Sequence, residues 1–130
     1  MTEFVGRALV LDEGLSLWGG MDPASGELID THHPQRGATL TGRVVVMPSG
    51  RGSSSSASVL AEAVRAGTAP SAILLAEPDL ILAIGSAVAE ELYGIIVPIL
   101  VLQASELARI KDGDELRIRH GGTVRVMHRP

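Results

Sequence analysis

The sequence predicts an α/β domain that ends in a β-hairpin, and two stretches support this. In the first, a valine-rich strand (Arg43–Met47), a glycine loop, an amphipathic helix from Ser53 and a second apolar strand (Ala72–Ala76) follow one another as a βαβ unit. In the second, Leu116 and Ile118 alternate with charged residues, Gly121-Gly122 reverses the chain, and Val124–Met127 returns along it. A length of 130 residues fits one domain over 1–130, since single cores typically serve about 100–200 residues.

In chain order, Arg7–Asp12 is a short β-prone run, followed by a turn-rich excursion through Gly19-Gly20 and Asp22-Pro23. Three successive valines in Arg43–Met47 suit a strand buried on both faces, and Pro48 and Gly50 stop it. Ala57, Leu60, Ala63 and Val64 share one helical face, with Gly67 placed to end the helix. Asp79 is positioned to cap a second helix, Leu80–Leu92. Ile95–Leu102 reads as a strand, although Pro98 implies an edge, a bulge or a break near its start. Ser105–Ile110 forms a short helix, and Lys111–Asp114 makes a turn before the strand Glu115–Arg119.

Composition excludes several functions. A net charge of −4, with eleven Lys and Arg spread thinly and only 2% aromatic residues, gives neither the clustered positive face nor the stacking platforms of a nucleic-acid binder. Apolar runs such as Gly94–Leu102 fall short of the roughly 20 residues that cross a bilayer, and no basic-then-apolar leader precedes Phe4, so no membrane is expected and the protein reads as cytoplasmic. Zero cysteines rule out a thiolate-held zinc or iron–sulfur site in this chain. The histidines offer no alternative metal site, because His32 and His33 are adjacent and point apart while His120 and His128 flank the hairpin.

Pro48-Ser49-Gly50-Arg51-Gly52-Ser53-Ser54-Ser55-Ser56 is the candidate site. Where a buried strand passes into a helix, glycines let the backbone approach a ligand and the first helical N–H groups lack partners, which suits an anion. Arg51 adds a planar, permanently charged fork for a carboxylate or phosphate. The same residues also read as a plain turn, with Ser53 an N-cap and Arg51 a solvated charge. No Gly-Lys-Ser/Thr ends the loop and its glycines do not follow Gly-x-Gly-x-x-Gly, so ATP and NAD are unsupported.

Several strings resemble the small-domain signature of the aconitase X family. They are Trp18-Gly19-Gly20-Met21-Asp22-Pro23, Gly26-Glu27-Leu28-Ile29-Asp30, His33-Pro34 and the Pro48–Ser56 loop, continuing through Gly67–Ile73 and Glu77-Pro78-Asp79. The likeness covers about residues 5 to 102. It implies an aconitase-type swivelling domain with a mixed three-layer β/β/α, barrel-like architecture. It also implies docking onto a large subunit that holds iron or an iron–sulfur cluster through cysteines. Some bacterial members fuse the two parts, and here a separate large subunit is expected.

In aconitase-like dehydratases a Gly-Ser-Ser motif presents a serine that, as alkoxide, removes a proton next to a carboxylate, and Gly52-Ser53-Ser54 matches it. The resemblance therefore makes Ser53 the catalytic base of an iron- or iron–sulfur-dependent hydro-lyase, with Arg51, Gly52, Ser54, Ser55 and Ser56 binding a small anionic hydroxy acid. The serine run and Glu91-Leu92-Tyr93-Gly94 look more like members that dehydrate cis-3-hydroxy-L-proline than those that dehydrate mevalonate 5-phosphate. A non-catalytic anion-binding or regulatory module is the alternative of another class. Trp18 would face a partner or cap its own core, Asp22 would make an Asx-type turn, His33 would contact substrate or brace a loop, and Glu77 would approach Arg51.

Overall fold

The computed structural model describes residues 3–119 and 121–130. Among them, six strands form one mixed sheet: β1 (Glu3–Val10), β2 (Val44–Met47), β3 (Ala72–Leu75), β4 (Ile99–Val101), β5 (Glu115–Arg119) and β6 (Val124–His128), in spatial order β4-β3-β2-β1-β5-β6. Two helices, α2 (Ser56–Ala66) and α3 (Leu80–Tyr93), connect the parallel strands, while α1 (Leu17–Gly20) and α4 (Ala104–Leu107) are single turns. The βαβ unit and the C-terminal hairpin both form as the patterning requires, with β2 parallel to β3 and β5 antiparallel to β6.

Every residue of β2 and β3 is buried, because both faces of this parallel region are covered. Side chains alternate across a strand, and the two cores follow that alternation. Leu9, Leu11, Val45, Met47, Ile73 and Leu75 pack with Leu60, Ala63 and Leu82 of the helices. Ala8, Val44, Val46, Ala72 and Leu74 pack on the other side with Leu107, Ile110, Leu116 and Ile118. The sheet curls into a half-barrel whose C-terminal strands close over the second core, which is the expected layered α/β arrangement.

The larger boundary differences from expectation fall in β1, β4, α4 and α2. β1 starts at Glu3 rather than Arg7, because Glu3–Arg7 pairs antiparallel with β5 while Ala8–Val10 pairs parallel with β2. β4 spans only Ile99–Val101, with Ile95 and Ile96 exposed ahead of Pro98, whose carbonyl accepts from the Ile73 N–H at 2.9 Å. α4 ends three residues before Ile110. Helix α2 begins at Ser56 instead of Ser53, since the Ser55 N–H turns back onto Ser53 Oγ at 3.1 Å and diverts the chain before the helix starts.

The excursion between β1 and β2 makes bridges at Met21 with Leu28 and at Glu27 with Thr39, and it drives Leu15, Leu17, Met21, Leu28 and Leu40 into the helix-side core. Asp22 makes its expected turn, its carboxylate accepting from the Ala24 N–H at 2.9 Å. His120 lies outside the described residues, and no helix among them is long and apolar enough to cross a membrane.

Candidate active site

The carboxyl ends of β1, β2 and β3 emerge at one edge of the sheet, the usual ligand edge of a parallel α/β sheet. Three segments meet there. Leu15 bridges to Gly50, and the Arg51 N–H donates to the Leu15 carbonyl at 3.3 Å. Asp79, at the head of α3, accepts from the Leu82 N–H at 2.9 Å as the expected N-cap.

Gly50 is required by this meeting, because a Cβ there would lie 2.1 Å from Asp79 Oδ2. Gly52 has φ of +101° and a Cβ would stand 2.9 Å from Ser16 Oγ. The segments enclose a cleft of about 40 Å³ lined by Gly50, Arg51, Gly52, Ser53, Ser56 and Asp79. A water needs about 10–15 Å³ of such space, so the cleft takes a few waters or one functional group of a ligand rather than a whole hydroxy acid. A larger concavity of about 630 Å³ lies beside α4, lined by Leu9, Leu11, Asp12, Gln35, Pro48 and Ile110 among others; it reaches the first residue of the loop but none of its serines.

Ser53 accepts at its hydroxyl from the Ser55 N–H at 3.1 Å and at its carbonyl from the Ser56 N–H at 3.0 Å. An amide donor on Oγ favours negative charge on that oxygen. Among the described residues, the N–H groups of Gly52, Ser53 and Ser54 meet no acceptor, so three consecutive donors stand open at the loop. Arg51 is 58% exposed, and its Nη1 donates to Glu13 Oε1 at 3.3 Å. Ser54 is exposed and Ser55 half-buried; Ser55 is the N-cap of α2 without a side-chain cap bond.

Ser56, expected to bind substrate, is drawn inward while still lining the cleft. Its side chain is buried, its Oγ accepts from the Trp18 N–H at 3.2 Å and stands 3.3 Å from Ser16 Oγ, so the hydroxyl is spent inside the domain. Because α2 starts at Ser56, this residue faces the body of the fold while Ser53 and Ser54 remain on the loop. Glu77 is exposed, and the acid that lines the cleft is Asp79. Trp18 is 58% exposed, so it does not cap its own core. His33 braces a loop: it is buried, accepts at Nδ1 from the Gln35 N–H at 3.0 Å and donates from Nε2 to the Glu13 carbonyl at 3.1 Å.

Perturbed carboxyls lie away from the cleft. Hydrogen bonding from Arg129 holds Asp114 below the usual carboxylate range, and Arg65 does the same for the exposed Glu62. Among the described residues no three His, Asp or Glu side chains gather as metal ligands, and the sequence has no cysteine, so this chain's residues do not fit an iron site. Glu13 and Ser16 are the site residues that sequence reasoning missed. They come from a segment about forty positions upstream, and no motif marks them.

Residues 2–126 match the family model described as the aconitase X swivel domain. The chain belongs to that family. A cis-3-hydroxy-L-proline dehydratase of Pseudomonas aeruginosa is 50% identical to this swivel domain over 115 residues, covering 83% of this chain and 20% of the relative. The chain thus spans about a fifth of that relative's length. A phosphomevalonate dehydratase small subunit of Methanopyrus kandleri is 37% identical, covering 92% of this chain and 85% of the relative. Among solved structures, Thermococcus kodakaraensis aconitase X in its holo-form superposes with a TM-score of 0.85 at 26% identity, covering 98% of this swivel domain and 92% of that chain.

Proposed function

We propose that this chain is the swivelling subunit of an aconitase X-type hydro-lyase that dehydrates cis-3-hydroxy-L-proline. The observation behind this reading is the joint placement of Arg51, Gly52 and Ser53 around one small cleft, on a loop whose Gly52 to Ser54 amides are unpartnered among the described residues, in a chain 50% identical to a cis-3-hydroxy-L-proline dehydratase. The substrate bears a proton on the carbon next to its carboxylate and a hydroxyl on the following carbon. Removing both forms a carbon–carbon double bond and releases one water.

In this reading, Arg51 grips the carboxylate, with one edge of its guanidinium already held by Glu13. The Gly52 to Ser54 amides stabilise the negative charge that spreads into the carboxylate as the proton leaves. Ser53 accepts that proton at Oγ. An alcohol is a very weak base, and the Ser55 N–H, the nearby N-terminus of α2 and exclusion of water on closure all favour its alkoxide. An iron or iron–sulfur centre held by the larger subunit would serve as Lewis acid for the departing hydroxyl.

In this reading the small cleft takes one group of the ligand and a second subunit encloses the rest. Support for a docking face comes from Trp18 beside the serine run and from Leu80, Ile84, Val88 and Leu92, which recur every four residues on α3 and are all exposed.

Mevalonate 5-phosphate is the second candidate, suggested by the 37% identity to the Methanopyrus kandleri phosphomevalonate dehydratase small subunit. It is also a 3-hydroxy acid with a proton beside its carboxylate, so the same three groups suit it. Purified complex of this chain with its large subunit should turn over cis-3-hydroxy-L-proline at least tenfold faster than mevalonate 5-phosphate in kcat/KM, a difference of about 1.4 kcal/mol in transition-state binding. The reverse preference would move the assignment to the phosphorylated acid, and turnover of neither would reduce the chain to an anion-binding module.

A further inference from the structure

We propose that Glu13 and His33 are positioning residues that hold the Arg51 guanidinium in the orientation that takes the substrate carboxylate; this rests on the reading of Arg51 as anion clamp. Arg51 is 58% exposed, and an arginine left in solvent spreads over many rotamers whose entropy must be lost on binding. Glu13 restricts it: Oε1 accepts from Nη1 at 3.3 Å. A half-exposed pair of this kind contributes little to stability, so its consequence is orientation. Among the described residues, one of the five guanidinium N–H groups is taken, and the other edge is turned to no protein acceptor and can engage a carboxylate.

Glu13 is itself fixed from behind. The buried His33 receives the Gln35 N–H on Nδ1 at 3.0 Å, which places the ring proton on Nε2, and Nε2 donates to the Glu13 carbonyl at 3.1 Å. The Gln35 side chain accepts from the Asp12 N–H at 3.1 Å, so the same short segment clamps two successive residues of the loop. From the other side, Gly14 lies against the Ser49 carbonyl and the Arg51 Cγ, closely enough that a Cβ would come within 2.3 Å and 3.3 Å of them. A relay of short contacts thus runs from a buried imidazole through the Glu13 backbone to the exposed cation.

The test is steady-state kinetics of the two-subunit complex with cis-3-hydroxy-L-proline. Glu13→Ala should raise KM about tenfold with kcat changed by less than about threefold, and Glu13→Gln, whose amide oxygen still accepts from the guanidinium, should recover most of that loss. His33→Asn keeps an acceptor for Gln35 but is too short to reach Glu13, and should raise KM like Glu13→Ala. His33→Gln can place an amide N–H where Nε2 stood and should recover it. The double variant Glu13→Ala with His33→Asn should be no worse than the worse single variant, because both break one relay.

Equal KM defects in both His33 variants, or an unchanged KM in Glu13→Ala, would overturn the proposal. The isolated subunit provides a check that needs no variant: long-range ¹H–¹⁵N spectra should show the Nε2–H tautomer of His33, and the Nδ1–H tautomer would contradict the relay. Arg51→Lys separates the two claims. If it leaves KM unchanged, the clamp reading fails; if it raises KM while Glu13→Ala does not, only the positioning proposal fails.

Discussion

Within the serine run, neighbouring hydroxyls have different fates because of what each meets. Ser53 receives one amide donor on an open loop, whereas Ser56 is buried between Ser16 and the backbone of Trp18. Ser56→Ala should therefore leave the Trp18 N–H unpaired and cost about 1–3 kcal/mol, read as a lower midpoint in urea denaturation, with kcat of the complex changed far less than stability. The grouping of Arg51, Gly52 and Ser53 at one cleft was legible because a strand, two glycines, a cation and hydroxyls lie together within a few residues. Ser56's inward turn was not, since it depends on where the first helical turn closes, and that is decided by the Ser55 N–H bonding back to Ser53. Glu13 and Ser16 were invisible for a different reason: only parallel pairing of β1 with β2 brings their loop beside Gly50.

At the level of elements, β2, α2 and β3 could be read from local pattern because both strands are buried on both faces and the helix has one clear apolar stripe. The N-terminal half of β1 owes its strand conformation to β5, more than a hundred residues away, so its own alternation gave little sign of it. Likewise β4 is shortened by Pro98, whose effect was foreseen but whose exact break depends on pairing with β3. The junction between the β2 loop and α3 is the tightest coupling of elements at the site. A methyl at position 50 would collide with Asp79 Oδ2 and displace the cap of α3. Gly50→Ala should destabilise the domain by at least the about 0.5–2 kcal/mol of a lost cap and speed amide exchange at Leu82. In an Asp79→Ala background the same substitution should cost much less, and equal cost in both backgrounds would show that the contact is not the cause.

At the scale of the whole molecule, the segment after β6 is tied to the turn before β5 by Arg129, which donates to both carboxylate oxygens of buried Asp114 at 3.0 Å and to the Arg109 carbonyl at 3.1 Å. The guanidinium lowers the Asp114 pKa on folding, so this ion pair stabilises the fold above the unfolded carboxylate value of about 3.9 and loses that contribution as pH falls below it, through the lowered folded value. Wild type should exceed Arg129→Ala in stability near neutral pH, and the two curves should converge as pH drops from about 5 to about 2; a constant gap would exclude Asp114 as the titrating partner. The layered fold and the family resemblance could be read from sequence motifs, whereas the half-sized cleft and the bare apolar face of α3 emerge only when the segments are assembled. In the proposed reading they make this chain one side of a site, so the decisive measurement belongs to the complex. Turnover of cis-3-hydroxy-L-proline by the complex bearing Ser53→Ala should fall by at least about 10²–10⁴-fold, the scale of general-base catalysis, while melting temperature and subunit association stay near wild type. Near-normal turnover by that variant would contradict the assignment of Ser53 as the base.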